Sequence, residues 1–183
     1  MEPHPAQVLA WLAAAATFLI TALRILAELR QSREQRAMEL RWKQAEAGKS
    51  LNDEMQTDER AWPAMQMLDS AEREFNVSES RTIRVSHGDI SVALNPATPS
   101  DPKINFIRDC FDTLFYFFAM FDHYIRSGLI REDDVAYPLE YYVPLLAQHR
   151  AAVECYLAHY KLKRVLDYLL RHPAWSPPTG GAA

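Results

Sequence analysis

The feature that most constrains this chain is a run of nineteen residues without a charged side chain, from Pro5 to Leu23. As a helix, at about 1.5 Å per residue, the run would be about 28 Å long, close to the roughly 30 Å hydrocarbon core of a bilayer. No Lys or Arg precedes it, whereas a signal peptide has a basic segment before its apolar core. The run therefore predicts a transmembrane anchor over residues 6–27. A cleaved signal peptide and a buried helix of a soluble protein are the alternatives.

The residues that flank this run predict its orientation. Trp11 and Arg24 lie near its two ends, where aromatic and basic side chains reach the membrane interface, and Arg30 and Arg33 follow on the same side as Arg24. Six basic residues lie within positions 24–43 and none lies within positions 1–23. The positive-inside rule then predicts a single-pass protein. Its residues 1–5 would lie outside the cell membrane and its C-terminus in the cytoplasm.

The charge of the remaining chain limits its partners. From residue 44 onward there are 14 basic and 20 acidic side chains, so this part carries a net charge of −6. An acidic surface repels phosphate backbones, and we expect no nucleic-acid partner. The two cysteines, Cys110 and Cys155, lie in helical patterns and are expected to be reduced.

Three further segments precede the centre of the chain. Residues 28–56 contain no proline and carry opposite charges four positions apart, which predicts a juxtamembrane helix. A second helix is predicted from about Ala61 to Phe75. Over residues 81–94, apolar and polar side chains alternate on both sides of Ser86–Asp89, which predicts a short β-hairpin with its turn there. "AGKS" at 47–50 lacks the first glycine of a phosphate-binding loop, because Lys43 stands in that place.

An aromatic helix is predicted between Asp101, as N-cap, and Gly128, as the residue that ends it. Its apolar side chains recur at alternating spacings of three and four, the pattern of a helix packed in a bundle. They are Ile104, Ile107, Phe111, Leu114, Phe118, Phe121 and Ile125.

The rest of the chain completes the predicted fold class. A long helix is predicted from Pro144 to Arg171, and residues 173–183 have the composition of a disordered tail. The expected fold is mainly α. It comprises a transmembrane helix that continues into the juxtamembrane helix. A cytoplasmic helical bundle follows over residues 57–172 and includes the one short hairpin.

Few residues suggest chemistry. Cys155 and His159 are four apart and could supply two metal ligands from one helical face, although a buried thiol beside an interface histidine is the alternative. Asp112, Asp122 and His123 could take part in acid–base catalysis; solvated side chains or interhelical salt bridges are the alternative for the aspartates. The sequence suggests no cofactor and no complete metal site.

Four stretches carry a resemblance to a known group of proteins. These are "LRQSREQRAMELRWKQA", "ERAWPAMQML", "FDTLFYFFAMFDHYIRSGLIREDD" and "PLEYYVPLLAQHR". Their order resembles that of bacterial single-pass membrane-anchored proteins with a small helical domain of unknown function. The resemblance implies the same architecture and a bacterial inner membrane as location, and it assigns no catalytic residue.

Together these patterns favour a helical interaction module that holds a protein partner, or a second copy of itself, at the membrane. The contact would use the apolar stripe of residues 104–125 or the juxtamembrane helix. The alternative is a membrane-tethered enzyme, or a toxin-like or pore-forming effector, with a site that includes Asp112, Asp122 or His123.

Overall fold

The computed structural model describes residues 5–78 and 81–175, with side chains at positions 11, 14, 17–77 and 81–175. It is mainly helical with one two-stranded antiparallel hairpin, as predicted. The elements are α1 (Pro5–Thr57), α2 (Ala61–Asp69), β1 (Glu72–Ser78), β2 (Arg81–Ser86), α3 (His87–Ala93), α4 (Pro102–Arg126), α5 (Ala136–Ala147), α6 (Arg150–His159) and α7 (Lys163–Arg171). Two short 3₁₀ helices span Glu132–Asp134 and Pro173–Trp175.

The chain divides into two compact units, Met1–Lys43 and Gln44–Ala183. We call the first the N-terminal unit and the second the body. The described part of the N-terminal unit is a single helical segment of α1, whereas the body contains the hydrophobic core.

The predicted transmembrane anchor over residues 6–27 is wrong. Among the residues whose side chains are described, no helix is long and apolar enough to cross a membrane. From Thr17 onward only seven residues precede Arg24, which forms an exposed ion pair with Glu28 at 3.1 Å. The same finding contradicts the predicted single-pass inner-membrane localisation. Residues 1–4 of the predicted outer segment lie outside the described residues.

Residues 44–57 of α1 belong to the body. Leu51 and Met55 are buried in its core, and the side-chain amide of Gln44 donates to the Gly128 carbonyl at 2.9 Å. A Cβ atom on residue 48 would lie 2.7 Å from the Cβ of Asp134, so only glycine allows this close approach. Gly48 is therefore a packing residue in the interior of a helix.

The hairpin lies earlier in the chain than predicted. Strand β1 pairs with β2 so that Phe75 lies opposite Ile83, and residues 87–93 form helix α3 in place of a second strand. The backbone N–H of Ser86 donates to the Asp89 carboxylate at 2.7 Å, which is one half of a capping box and starts a helix. Phe75, predicted at the end of α2, instead packs against Phe106.

Helix α4 follows the sequence pattern closely. The Asp101 carboxylate accepts from the backbone N–H groups of Lys103 and Ile104 at 2.7 and 2.9 Å, and Gly128 takes a left-handed φ of 71° beyond the last turn. The predicted stripe faces the core, where α4 packs against α2, α3 and α7. Because this stripe is buried within the body, it does not offer a surface to another protein.

The long helix predicted over residues 144–171 is wrong, because three helices cover this region. Pro144 lies inside α5, which ends at Ala147, and α6 ends at a turn in which Lys161 has a φ of 58°. Trp175, predicted to lie in a disordered tail, is buried, and its indole N–H donates to Glu154 at 3.0 Å. Residues 176–183 of that predicted tail lie outside the described residues.

Candidate functional site

The predicted candidate Asp122 lies in α4 and is 97% buried, with 3% of its area exposed. It accepts hydrogen bonds from Arg126 at 2.9 Å and from Arg171 of α7. These groups border a cavity of about 210 Å³, which Tyr168 and Glu132 also line. The Tyr168 hydroxyl is buried and has no hydrogen-bond partner among the described residues.

The charges around this cavity balance. Arg126 and Arg171 both bind the Asp122 carboxylate, and Glu132 adds a second carboxylate to the lining. A buried carboxylate that is already paired has little left to offer a ligand. Asp122 therefore forms the interhelical salt bridge named above as an alternative. His123 is exposed and packs against Tyr124, so it does not join Asp122 in an acid–base pair.

Asp112, the second predicted carboxylate, lies more than two helical turns before Asp122 on α4. The Tyr156 hydroxyl of α6 donates to its Oδ1 at 2.9 Å. Partial desolvation of this exposed side chain, and to a smaller extent the negative charge of Asp109, raise the pKa of Asp112. Asp112 lines an apolar groove of about 380 Å³; the other lining residues are Phe115, Tyr116, Ala119, Tyr160, Leu162 and Val165.

The predicted metal ligands Cys155 and His159 are both exposed on α6. The His159 ring meets Tyr160 edge-on, with the ring centroids 4.8 Å apart. In the ranges 5–78 and 81–175, no group of three or more His, Cys, Asp or Glu side chains is arranged to hold a metal ion. A third ligand for this pair is thus missing from the described residues.

A polar cluster around His149 was not predicted from the sequence. The Ser91 hydroxyl lies 2.8 Å from Nδ1 of His149, and the His87 ring meets His149 edge-on at 5.2 Å between centroids. Burial, and to a smaller extent the nearby His87, lower the pKa of His149, and its Nε2 has no hydrogen-bond partner in the part of the chain that the structure describes. A serine activated by histidine needs a third group to orient the ring, and no group within residues 5–78 and 81–175 binds this Nε2. Because Ser91 and His149 are 58 residues apart, no local pattern could have paired them.

The residues predicted at the membrane interface lie on the N-terminal unit. Arg24 pairs with Glu28 and Arg30 with Glu34, at 3.1 and 3.2 Å, and Trp11 and Arg33 are exposed.

Exposed large apolar side chains are more densely clustered in residues 18–29 of α1 than in any other described segment. Large apolar side chains there expose between 51% and 76% of their area; they are Phe18, Leu19, Ile20, Leu23, Ile25, Leu26 and Leu29. At 100° per residue, Phe18, Ile25 and Leu29 form one stripe and Leu19, Leu23 and Leu26 a second stripe beside it. We call this surface, residues 18–29, the apolar face of α1.

The structure thus contains three candidate sites, namely the apolar face of α1, the groove at Asp112 and the His149 cluster. No protein-family model, no curated protein and no solved structure matches the chain. The resemblance to bacterial membrane-anchored proteins stays a prediction, and the functional argument depends on the residues of this chain.

Proposed function

We propose that the chain is a helical interaction module that associates with further copies of itself through the apolar face of α1. The supporting observation is the exposure of seven large apolar side chains on one helical segment. Soluble monomeric proteins seldom expose a continuous apolar surface of this kind, which usually marks an interaction site.

The energetics favour a partner for this segment. Burial of one large aliphatic or aromatic side chain is worth about 1.5–3 kcal/mol. Most of the stability of a helix in a folded protein comes from the packing of an apolar face, and intrinsic propensity alone adds little. A segment that places its apolar residues against another helix would therefore be much more stable than the same segment in water.

The charges of α1 favour a second copy as that partner. Arg24 and Arg30 are already paired with Glu28 and Glu34 on the same helix, so the polar side requires no complementary charge from another protein. Two adjacent apolar stripes also exceed the single a/d seam of a two-stranded coiled coil. We therefore expect an assembly of three or more copies.

The proposal is tested by sedimentation equilibrium of the full-length chain. The chain has a mass of 21.0 kDa, and the wild type is expected to sediment with at least three times that mass. Ile25→Glu and Leu26→Glu place a charge within the contact and are expected to yield monomers. Leu170→Glu is the matched control, because Leu170 of α7 is 49% exposed and Ile25 is 51% exposed.

Three outcomes would overturn the proposal. One is a wild type that stays monomeric across the accessible concentrations. Another is an assembly that Ile25→Glu and Leu26→Glu leave unchanged, or that Leu170→Glu disrupts equally. The third is a monomer that uses the same side chains to bind phospholipid vesicles.

A further inference from the structure

A groove on the body combines exposed aromatic rings with one negative charge. It opens where α4 passes the turn between α6 and α7, and its volume is about 380 Å³. Tyr116 of α4 and Tyr160 of that turn line it with 60% and 48% of their areas exposed, and the buried Phe115 also belongs to its lining. Asp112, one turn before Tyr116, provides the carboxylate of the lining.

We propose that this groove binds an organic ammonium ion, with the positively charged N-alkyl groups against the rings of Tyr116 and Tyr160 and the nitrogen beside Asp112. Aromatic rings attract cations through their quadrupole, and an aromatic lining with a carboxylate is the usual chemistry of alkylammonium recognition. The inference is independent of the self-association proposed above, because the groove lies wholly within the body.

The charge of Asp112 is not matched within the described part of the chain, where no Lys or Arg forms an ion pair with it. Arg108, whose charge acts on Asp112 from the preceding turn, is engaged elsewhere. Its guanidinium donates to the backbone carbonyls of Ala93, Asn95 and Thr98 at 2.8, 3.0 and 3.1 Å. A cation bound in the groove would neutralise the charge of Asp112.

The orientation of Asp112 is set before any ligand binds. The Tyr156 hydroxyl donates to Oδ1 at 2.9 Å, and the Tyr156 ring packs against Phe115 and Tyr160 with centroids 6.1 and 4.6 Å away. This leaves Oδ2 of Asp112 without a hydrogen bond in the described contacts. Because the carboxylate is held by a buried phenol, little ordering would be needed on binding.

The groove also lies on an acidic body. Residues 44–183 carry 20 acidic and 14 basic side chains, and a net negative charge raises the local concentration of small cations near the surface. The long-range field and the local lining therefore favour the same sign of ligand.

A pair of isosteric probes separates charge from shape. Choline carries a trimethylammonium group, and 3,3-dimethylbutanol has the same shape with a neutral carbon in place of nitrogen. Each is titrated into the full-length protein while the tyrosine ring signals are followed by NMR. Choline is expected to shift the Tyr116 and Tyr160 signals saturably and to bind at least about tenfold more tightly than its neutral isostere.

Variants locate the interaction within the groove. Asp112→Asn retains an acceptor for Tyr156 and removes the charge, so choline affinity is expected to fall about tenfold. Tyr116→Ala should weaken binding about two- to fivefold through loss of the cation–π contact. Asp109→Asn is the control, because Asp109 is an exposed carboxylate on the same helix that does not line the groove, and we expect less than about a twofold effect.

The inference is overturned if choline and its neutral isostere bind equally, or if choline produces no saturable shift of Tyr116 and Tyr160. It is also overturned if Asp112→Asn and Asp109→Asn, each with an unchanged thermal midpoint, weaken binding to the same extent. Should Asp112→Asn unfold the protein, the isostere comparison on the wild type still decides the role of charge, and Tyr116→Ala decides the location.

Discussion

Arg171, in the last turn of α7, donates a hydrogen bond to the carboxylate of Asp122, which lies 49 residues earlier in α4. Arg126, one turn after Asp122, donates to the same carboxylate oxygen at 2.9 Å. The carboxylate is buried, whereas both arginines are about half exposed. The contact therefore joins α7 to α4 through a buried carboxylate, whose charge is stabilised by the two arginines in place of water.

Replacement of Arg171 tests this contact. Arg171→Met is expected to lower the free energy of unfolding by about 1–2 kcal/mol, because a hydrogen bond to a buried charge is lost while Arg126 still neutralises Asp122. Arg131→Met is the control, since the Arg131–Asp133 pair is exposed, and should cost less than about 0.5 kcal/mol. Urea denaturation measures both. Equal losses for the two variants would contradict a special role for Arg171.

The close approach of α1 to Asp134 predicts an unusual response to alanine. Gly48→Ala is expected to destabilise the protein by about 1–3 kcal/mol, although alanine favours helix over glycine by up to about 1 kcal/mol, because its Cβ would lie 2.7 Å from that of Asp134. Gly88→Ala is the matched control in α3, where the nearest atom would be 3.8 Å away, and should be neutral or stabilising. Thermal unfolding compares them. A Gly48→Ala protein as stable as the wild type would mean that α1 can move away from Asp134.

The lowered pKa of His149 predicts that the folded protein loses stability in mild acid. Its pKa is lowered in the folded state by burial and by His87, while an unfolded histidine titrates near about 6.5. Between the lowered folded value and about 6.5 the unfolded chain binds more protons, so stability falls as the pH decreases through this window.

The pH dependence is measured as the free energy of unfolding from about pH 8 to about pH 5. His149→Gln should flatten the slope below about pH 6.5, even if its absolute stability is lower. His159→Gln, at an exposed position on α6, is the control and should retain the wild-type slope. A slope that survives His149→Gln would assign the proton uptake to other groups.

The two thiols are expected to differ in reactivity. Cys110 is buried, and desolvation raises its pKa to about 12, whereas Cys155 is exposed. Because the thiolate is the reacting form, a disulfide reagent should modify one thiol in the native protein and two in denaturant. Cys155→Ser should abolish the native reaction and Cys110→Ser should leave it intact. Rapid reaction of both native thiols would show that the region around Cys110 opens readily.

Local chemistry made α4 predictable. Asp101 as N-cap, the apolar stripe and Gly128 each act within a turn or two of the chain, and the structure retains all three. The hairpin was misplaced because Ser86-His87-Gly88-Asp89 contains both turn residues and a capping-box spacing. In the structure the capping box forms and Ile90 of the resulting helix is fully buried in the core.

The breaks between the helices of the C-terminal half could not be predicted, because local sequence signals are lacking there. No glycine or proline marks the turn at Lys161, although its φ of 58° is one that glycine normally adopts. The buried Trp175 joins the apolar core, and its indole donates to Glu154, which lies 21 residues earlier. In both places tertiary contacts determine a backbone conformation that the local sequence does not favour.

The candidate sites also combine features that the local sequence predicts with contacts between distant residues that it does not. Asp122 could be assigned to a salt bridge from its position on α4, but its partner Arg171 could not, and the Asp112–Tyr156 pair spans 44 residues. The transmembrane prediction relied on the uncharged run and on the residues that flank it. In the structure the flanking Arg24 pairs with Glu28, and this pair begins the charged part of α1.

The positions of Arg171 and Trp175 have a consequence for biosynthesis. Arg171 makes the ion pair with Asp122 that joins α7 to α4, and the Trp175 indole donates to Glu154 of α6. During translation, neither contact can form until the ribosome has released these residues from its exit tunnel. The apolar side chains of α4 are then already outside, and a nascent chain of this protein must keep them from other proteins until α7 arrives.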